Sequence, residues 1–375
     1  MSSPEVGRRS ILFIAATALL MMSLFYVAGG TSIRVDSLPL RLSDKEFWRL
    51  INDFSESDGY FRSDNFLSNE GGSQRVIPTL RKAIEPGGVY LGVGPEQNFT
   101  YIVGVRPKMA FVVDIRRQNM LEHLLYKALI EMSGNRGEFL SRLFSRPRPA
   151  TVNAESNALV LLAAYERAQP SQDLFDANLR LVLDYLEETK GFDLSSEDEA
   201  AVAKVYRAFF ESGPDLRYTF YGGYGAFMGM PSYAELMTEN DGISHNWSFL
   251  ANEDQYRLIQ RLQRNNLIVP IVGDFAGPKA IRSVGRYLKE HDATVTLFYT
   301  SNVEQYLFQD DNNWRNFYEN VETLPLDASS MFIRYVLNRR GFNRARTVSS
   351  PIVDVVEGFK SGEVRSYYDV IDMSR

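Results

Sequence analysis

The chain has 375 residues, 45% of them hydrophobic, and a formal net charge of −6. That length implies a main domain with a large insertion or a second lobe, and the acidic balance leaves no basic face for phosphate backbones, which argues against nucleic acid as a partner. The absence of cysteine excludes disulfides, thiolate metal sites and cysteine nucleophiles, and the three histidines, His123, His245 and His291, nowhere show the i, i+4 spacing of a zinc pair.

Arg8 and Arg9 precede "ILFIAATALLMMSLFYVA", an uninterrupted run from 11 to 28. It is at the short limit for spanning a bilayer and longer than most signal-peptide cores, so residues 1–30 are expected to be a signal peptide or a transmembrane anchor. The stretch "GRRSIL" is similar to a twin-arginine signal, and "AGG" at 28–30 has the small residues of a cleavage site. Positive charge before the run favours a cytoplasmic N-terminus with the folded part anchored at the membrane or exported to the cell envelope, although Arg34, Arg41 and Lys45 just after it weaken that rule. Residues 31–60 read as a linker and a docking helix, the latter opened by a capping box of Ser43 and Glu46.

Residues 61–144 carry the strongest pattern. After the polar turns of "FRSDNFLSNE", the apolar run "GVYLGVG" leads into about fifteen residues with room for a crossover helix. "MAFVVDI" follows, and then "NMLEHLLYKALIEM" with Leu121, Leu124, Leu125, Ala128 and Leu129 on one side. This is β, α, β, α, the start of a doubly wound α/β sheet with buried parallel strands. Gly92 and Gly94 fall at the first strand-to-helix turn, where glycine lets a ligand approach the backbone, and Asp114 ends the second strand, where an acid accepts from ribose hydroxyls. The competing reading is glycines that only make a tight turn. Neither a third glycine nor a Gly-Lys-Ser follows, which disfavours a pyrophosphate cofactor, a nicotinamide oxidoreductase and a P-loop.

Residues 145–250 break the rhythm with three helical patterns, the last opened by Ser196 and Glu199, and close on the glycine and aromatic loop "YTFYGGYGAFMGM". They read as a helical insertion. Tyr221, Tyr224, His245 and Trp247 are placed to form a substrate lid or to pack on the insertion, and His245 is the one histidine considered as a base. Residues 251–375 resume the sheet: "NLIVPIVGDF" is a strand ending at Gly273 and Asp274, "ATVTLFYTSN" the next, "SMFIRYVL" another, and "SYYDVI" a final candidate. Asp274 either contacts a ligand or caps the following helix. Tyr299, Ser301 and Asn302 stand where strand ends face a crevice, with a helix N-cap as the alternative role of Asn302.

On "LGVG", Asp114 and "IVGDF", in that order, the chain resembles the class I S-adenosylmethionine-dependent methyltransferase superfamily over about residues 60–145 and 250–340, and more specifically an uncharacterised bacterial methyltransferase-like family. The resemblance implies a Rossmann-like, methyltransferase-type sheet with S-adenosylmethionine as cofactor. Gly92 and Gly94 would lie against its methionine part, Asp114 on the ribose, and Gly273 and Asp274 at the adenine. The 61–70 segment, with Asp64, Asn65, Ser68 and Asn69, would cover the cofactor unless its polar residues only make Asx turns, and Tyr299, Asn302 and His245 are the candidates for catalysis. Tyr90 stands where the superfamily has an acid, and Glu96 where it has a third glycine; Glu96 is then placed to face the cofactor's ammonium group. An exported domain would lack this cytoplasmic cofactor, so the alternative is a non-catalytic, envelope-located ligand-binding or structural protein that reuses the fold.

Overall fold

The computed structural model describes residues 36–219, 229–337 and 345–374. The 11–28 run therefore lies outside the described residues; among them no helix is long and apolar enough to cross a membrane.

Six short segments form one sheet: β1 (Val89–Gly92), β2 (Met109–Asp114), β3 (Ile268–Val272), β4 (Val295–Ser301), β5 (Met331–Val336) and β6 (Arg346–Pro351). Their order is β3-β2-β1-β4-β5-β6, with every neighbouring pair parallel except β5 and β6. The first three strands are buried at every residue, which explains why they read as continuous apolar runs rather than alternating ones.

The chain moves outward from β1 through β2 to β3, then returns to the other side of β1 for β4 and β5. Right-handed crossovers put the connecting helices of the two halves on opposite faces. Gln97–Val105 and Arg117–Glu131 cover one face, where Phe99 meets Tyr126 and Phe249 edge-on. Asp44–Phe54, Ala280–Glu290 and Asp311–Glu322 cover the other, with Phe111 against Phe54 and Tyr287, and Phe298 against Phe317. At the β1/β4 boundary neighbouring strands send their connections in opposite directions, which opens a crevice at their carboxyl ends.

The insertion is helical, as Ala158–Arg167, Gln172–Asp184 and Ser196–Ser212. It packs over Arg117–Glu131, so that helix is buried on its polar side as well as its apolar one. The capping box expected at Ser196 and Glu199 is formed one residue earlier, by Ser195 and Asp198. Asp198 also accepts a forked pair from Arg117 at 2.6 and 2.7 Å, and this tie to the sheet domain sets the register of the cap. "SYYDVI" is not a strand but the helix Tyr367–Asp372, started by a capping box of Ser366 and Asp369. The edge strand β6 and the helix Ile352–Ser361 after it carry no strong sequence pattern and were not anticipated.

A buried ion pair locks β4 and β5 below the crevice. Glu304 accepts from Arg334, from Tyr318 Oη at 2.5 Å and from Thr300 Oγ1 at 3.0 Å, and Arg334 also reaches Ser350 on β6. Arg334 Nε and Nη2 both go to the carboxylate, while Nη1 goes to Ser350. Replacing Glu304 with alanine leaves Arg334 buried without its counter-charge and is expected to cost about 3–5 kcal/mol in chemical denaturation; a loss under about 1 kcal/mol would contradict this reading of the pair.

Candidate functional site

The turn after β1 is built from below. Asn98, at the start of the following helix, donates its side-chain amide to three consecutive carbonyls, Val93 at 3.0 Å, Gly94 at 2.9 Å and Pro95 at 2.7 Å, and its Oδ1 accepts from Tyr90 Oη at 2.8 Å. His123 adds a contact to the Gly94 carbonyl at 2.9 Å, and burial pushes its imidazole down to about 4, so it stays neutral. Tyr90 is thus a buried prop for the turn.

This arrangement revises two expected ligand contacts. A side chain on Gly92 would meet Asn98 Oδ1 at 1.9 Å and Tyr90 Oη at 2.6 Å, so glycine is required there by the packing beneath the turn, and Gly92 does not line the crevice. Gly94 does. It has φ of +75°, which favours glycine, and an added side chain there would meet the Asn65 amide at 3.8 Å, so its backbone and the covering segment share that part of the cavity wall. Glu96 is fully buried behind the turn, where both its oxygens accept from the Ser68 backbone N–H at 3.3 Å. It fastens the 61–70 segment and does not face the crevice.

Asp114 ends β2 on the crevice wall, but not as a free acid. Its Oδ1 accepts from the Arg116 backbone N–H at 3.0 Å and from Nε at 3.1 Å, and its Oδ2 from Nη2 at 3.2 Å. A carboxylate has about four acceptor directions, so one on Oδ2 remains for a ligand hydroxyl. Burial works against the Arg116 charge, yet Asp114 beside it raises the guanidinium pKa further. Arg116 Nη1 also holds the Ser63 and Asp64 carbonyls, and Asn65, at φ of +51°, accepts from Nη2 once its amide is oriented to satisfy both ends. Arg116 therefore folds the covering segment onto β2, a role absent from the sequence reading.

At the end of β3, Gly273 permits the close approach of Ala280, whose Cβ would lie 2.2 Å from an added side chain. The helix Ala280–Glu290 is capped from outside by Glu56, which accepts from the N–H groups of Lys279 and Ala280 at 2.8 Å. Asp274 instead closes a local turn to Ala276 N at 2.9 Å and keeps its place on the crevice wall. Asn302 stands at the N-cap position of the helix Val303–Leu307 but makes no side-chain cap bond to it, and it lines the crevice.

Together these groups enclose a cavity of about 310 Å³, at the lower end of the range for small-molecule sites. Of the expected residues, Asn65, Asn69, Gly94, Asp114, Gly273, Asp274, Tyr299 and Asn302 line it. Tyr60, Phe61, Tyr218, Phe275 and Tyr306 give it aromatic walls, and Phe61 meets the Tyr306 ring edge-on at 5.4 Å. His245 is exposed, its ring tilted against Trp247 with centroids 4.1 Å apart, and neither lines the cavity. Trp247 is held by Asp241 and by Arg81 over its ring, so the packing alternative stands for this pair. Tyr221 and Tyr224 lie outside the described residues. No cluster of three or more metal-ligating side chains occurs among the described residues.

Glu70 was not foreseen. It is buried on the cavity wall, its Oε1 accepts from Ser301 Oγ, and its Oε2 has no partner. Burial pushes its carboxyl up to about 7, against the opposing hydrogen bonds of Ser301 and Tyr299. In Glu96, burial has the same effect and pushes the carboxyl up to about 8.

These shifts make stability depend on pH. A carboxyl whose folded pKa lies above its unfolded value near 4.5 stabilises the fold below that value, and the contribution is lost as pH rises through the folded pKa. Between about pH 6.5 and 8 the unfolded His123 gives up the rest of its proton, a small stabilising change. It is outweighed by Glu96, Glu70 and Glu122, whose carboxyl burial also holds well above the usual range, so stability falls. At about 1.36 kcal/mol per unit the loss is on the order of 2 kcal/mol, measured by denaturant titration at the two pH values. Glu96→Gln is expected to flatten this dependence, and a stability that climbs across the window would contradict it.

No curated protein matches this sequence. The chain belongs to the DUF7790 family, a domain of unknown function whose profile matches residues 65–360.

Proposed function

We propose that the chain binds a nucleoside-containing ligand in a Rossmann-like, methyltransferase-type crevice, and that its function is S-adenosylmethionine-dependent methyl transfer to a small acceptor. The observation that carries this reading is convergence. Gly94 after β1, Asp114 at the end of β2 and Asp274 after β3 come from separate parts of the chain and line one cavity where the strand order reverses.

The residues present fit such a cofactor. Gly94 presents bare backbone at the cavity wall, Asp114 retains one acceptor direction for a ribose hydroxyl, and Phe275 beside Asp274 offers a flat apolar wall for a base. Bound there, the cofactor would supply an electrophilic methyl group. The chain's own work is positioning: Arg116 pins Asp114, Asn98 fixes the turn, and the tyrosines at the mouth exclude water. Alignment of this kind supplies much of the rate in a displacement that needs no covalent intermediate. Tyr299 and Asn302 face the cavity from the β4 side and are the groups to orient an acceptor.

A second reading rests on the apolar run at 11–28, which favours a membrane-anchored or exported protein. In that setting the crevice holds a ligand without chemistry.

Calorimetric titration of residues 31–375 with S-adenosylmethionine and S-adenosylhomocysteine tests the first reading. We expect dissociation constants on the order of micromolar, weakened about tenfold or more by Asp114→Asn. Asparagine is the informative substitution because it keeps an acceptor for Arg116, whereas alanine strands a buried guanidinium. Absence of binding to a folded protein would overturn the reading in favour of the second.

A further inference from the structure

The β4 end of the cavity is built around a carboxyl group that nothing in the protein uses fully. Glu70 is 2% exposed and sits on the cavity wall with Oε2 unpartnered. An unmatched buried carboxyl oxygen is costly and calls for an occupant. The strand beside it is distorted to serve it. The β4/β5 register slips between Tyr299 and Ser301, and Ser301 takes φ of +52°, a left-handed conformation that a serine adopts only where surroundings enforce it. The result is that Ser301 Oγ is aimed at Glu70 Oε1. Asn302, next along, presents an amide to the same cavity without a capping bond.

The surroundings of Glu70 select the occupant's charge. The titratable groups that interact with it are Tyr90 on β1, Tyr101 on the Gln97–Val105 helix, Tyr299 on β4, Tyr335 on β5, Tyr367 on the Tyr367–Asp372 helix and the buried Glu96, all neutral or acidic. The cation on the cavity wall, Arg116, is committed to Asp114 and to backbone carbonyls on the β2 side. The cavity thus has an acid on each side of the Gly94 turn and an internal counter-ion for only the β2 one.

We propose that Glu70, Ser301 and Asn302 form an ammonium subsite, and that the ligand carries a protonated amine on an arm reaching from the β2 side across Gly94 to the end of β4. Glu70 Oε2 takes one N–H, and the Ser301 and Asn302 side-chain oxygens accept the others. At about 4.8 Å per strand, β2 and β4 lie roughly 10 Å apart, the span of a nucleoside with a short 5′ arm. This inference rests on the nucleoside reading above and assigns to Glu70 the contact expected of Glu96, which lies behind the turn.

The test uses a matched pair of probes that differ only in the ammonium: 5′-deoxy-5′-(2-aminoethylthio)adenosine and 5′-deoxy-5′-(propylthio)adenosine. Both are titrated calorimetrically against residues 31–375 between pH 6 and pH 8, a range in which a primary alkylamine, near the lysine value of about 10.4, stays protonated. The amine probe is expected to bind about 10-fold to 100-fold more tightly at pH 8. That preference should shrink towards pH 6, as Glu70 takes up a proton, and in Glu70→Gln the ratio of the two affinities should fall to near unity. Equal affinities for the two probes at every pH in the wild-type protein would overturn the ammonium subsite and leave the nucleoside reading standing. Failure of both to bind would remove both proposals. The wild-type pH series decides the matter even if Glu70→Gln does not fold.

Discussion

One side chain fixes the geometry on which the crevice depends. The Asn98 amide shares its two N–H groups among the carbonyls of Val93, Gly94 and Pro95, and its oxygen is held by Tyr90 from the strand below. This clamp is why residue 92 has no side chain, why residue 90 is a tyrosine and why the backbone at Gly94 is already turned outward. The cost of ordering the turn is met by folding and not by a ligand, which is the condition for a preorganised site.

The rest of the crevice is assembled by bridges onto that turn. Glu96 holds Ser68 from behind, and Arg116 holds Ser63 and Asp64 from the β2 side, so the covering segment is fastened at both ends. Glu56 reaches the far side and caps the helix after β3. Each of these charged groups is engaged in positioning other parts of the chain. Glu70 differs in kind, since one of its oxygens is buried and left over.

The strands of this fold were legible because they are buried along their whole length. β1, β2 and β3 appear as apolar runs, and the Asp114 and Asp274 ends lie where the runs predict. The edge strand β6 was not legible. Its residues, Arg346–Pro351, are polar and take their structure from pairing with β5, a tertiary effect that no local pattern carries. The final segment was misread because Tyr367 and Tyr368 suit a strand, while Ser366 and Asp369 around them form a helix cap. At the crevice, motif spacing singled out Gly94, Asp114 and Asp274, which line one cavity, but could not separate a glycine on the cavity wall from one facing Asn98. Glu70 joins the crevice through the path of the 61–70 segment, and Arg116, two residues after Asp114, gains its role from tertiary bonds to Ser63 and Asp64, so sequence spacing held no signal for either role. The serine and aspartate pattern of "FRSDNFLSNE" marked the right segment without showing which of its acids turns inward.

The central claim is that the cavity beside Gly94 is a nucleoside site. The most direct measurement is a crystal structure grown with saturating S-adenosylhomocysteine. The account predicts difference density with the ribose at Asp114 Oδ2, the base against Phe275 and the thioether arm crossing Gly94 towards Glu70. A well-ordered crevice that stays empty at saturation, or a ligand seated elsewhere on the molecule, would contradict it.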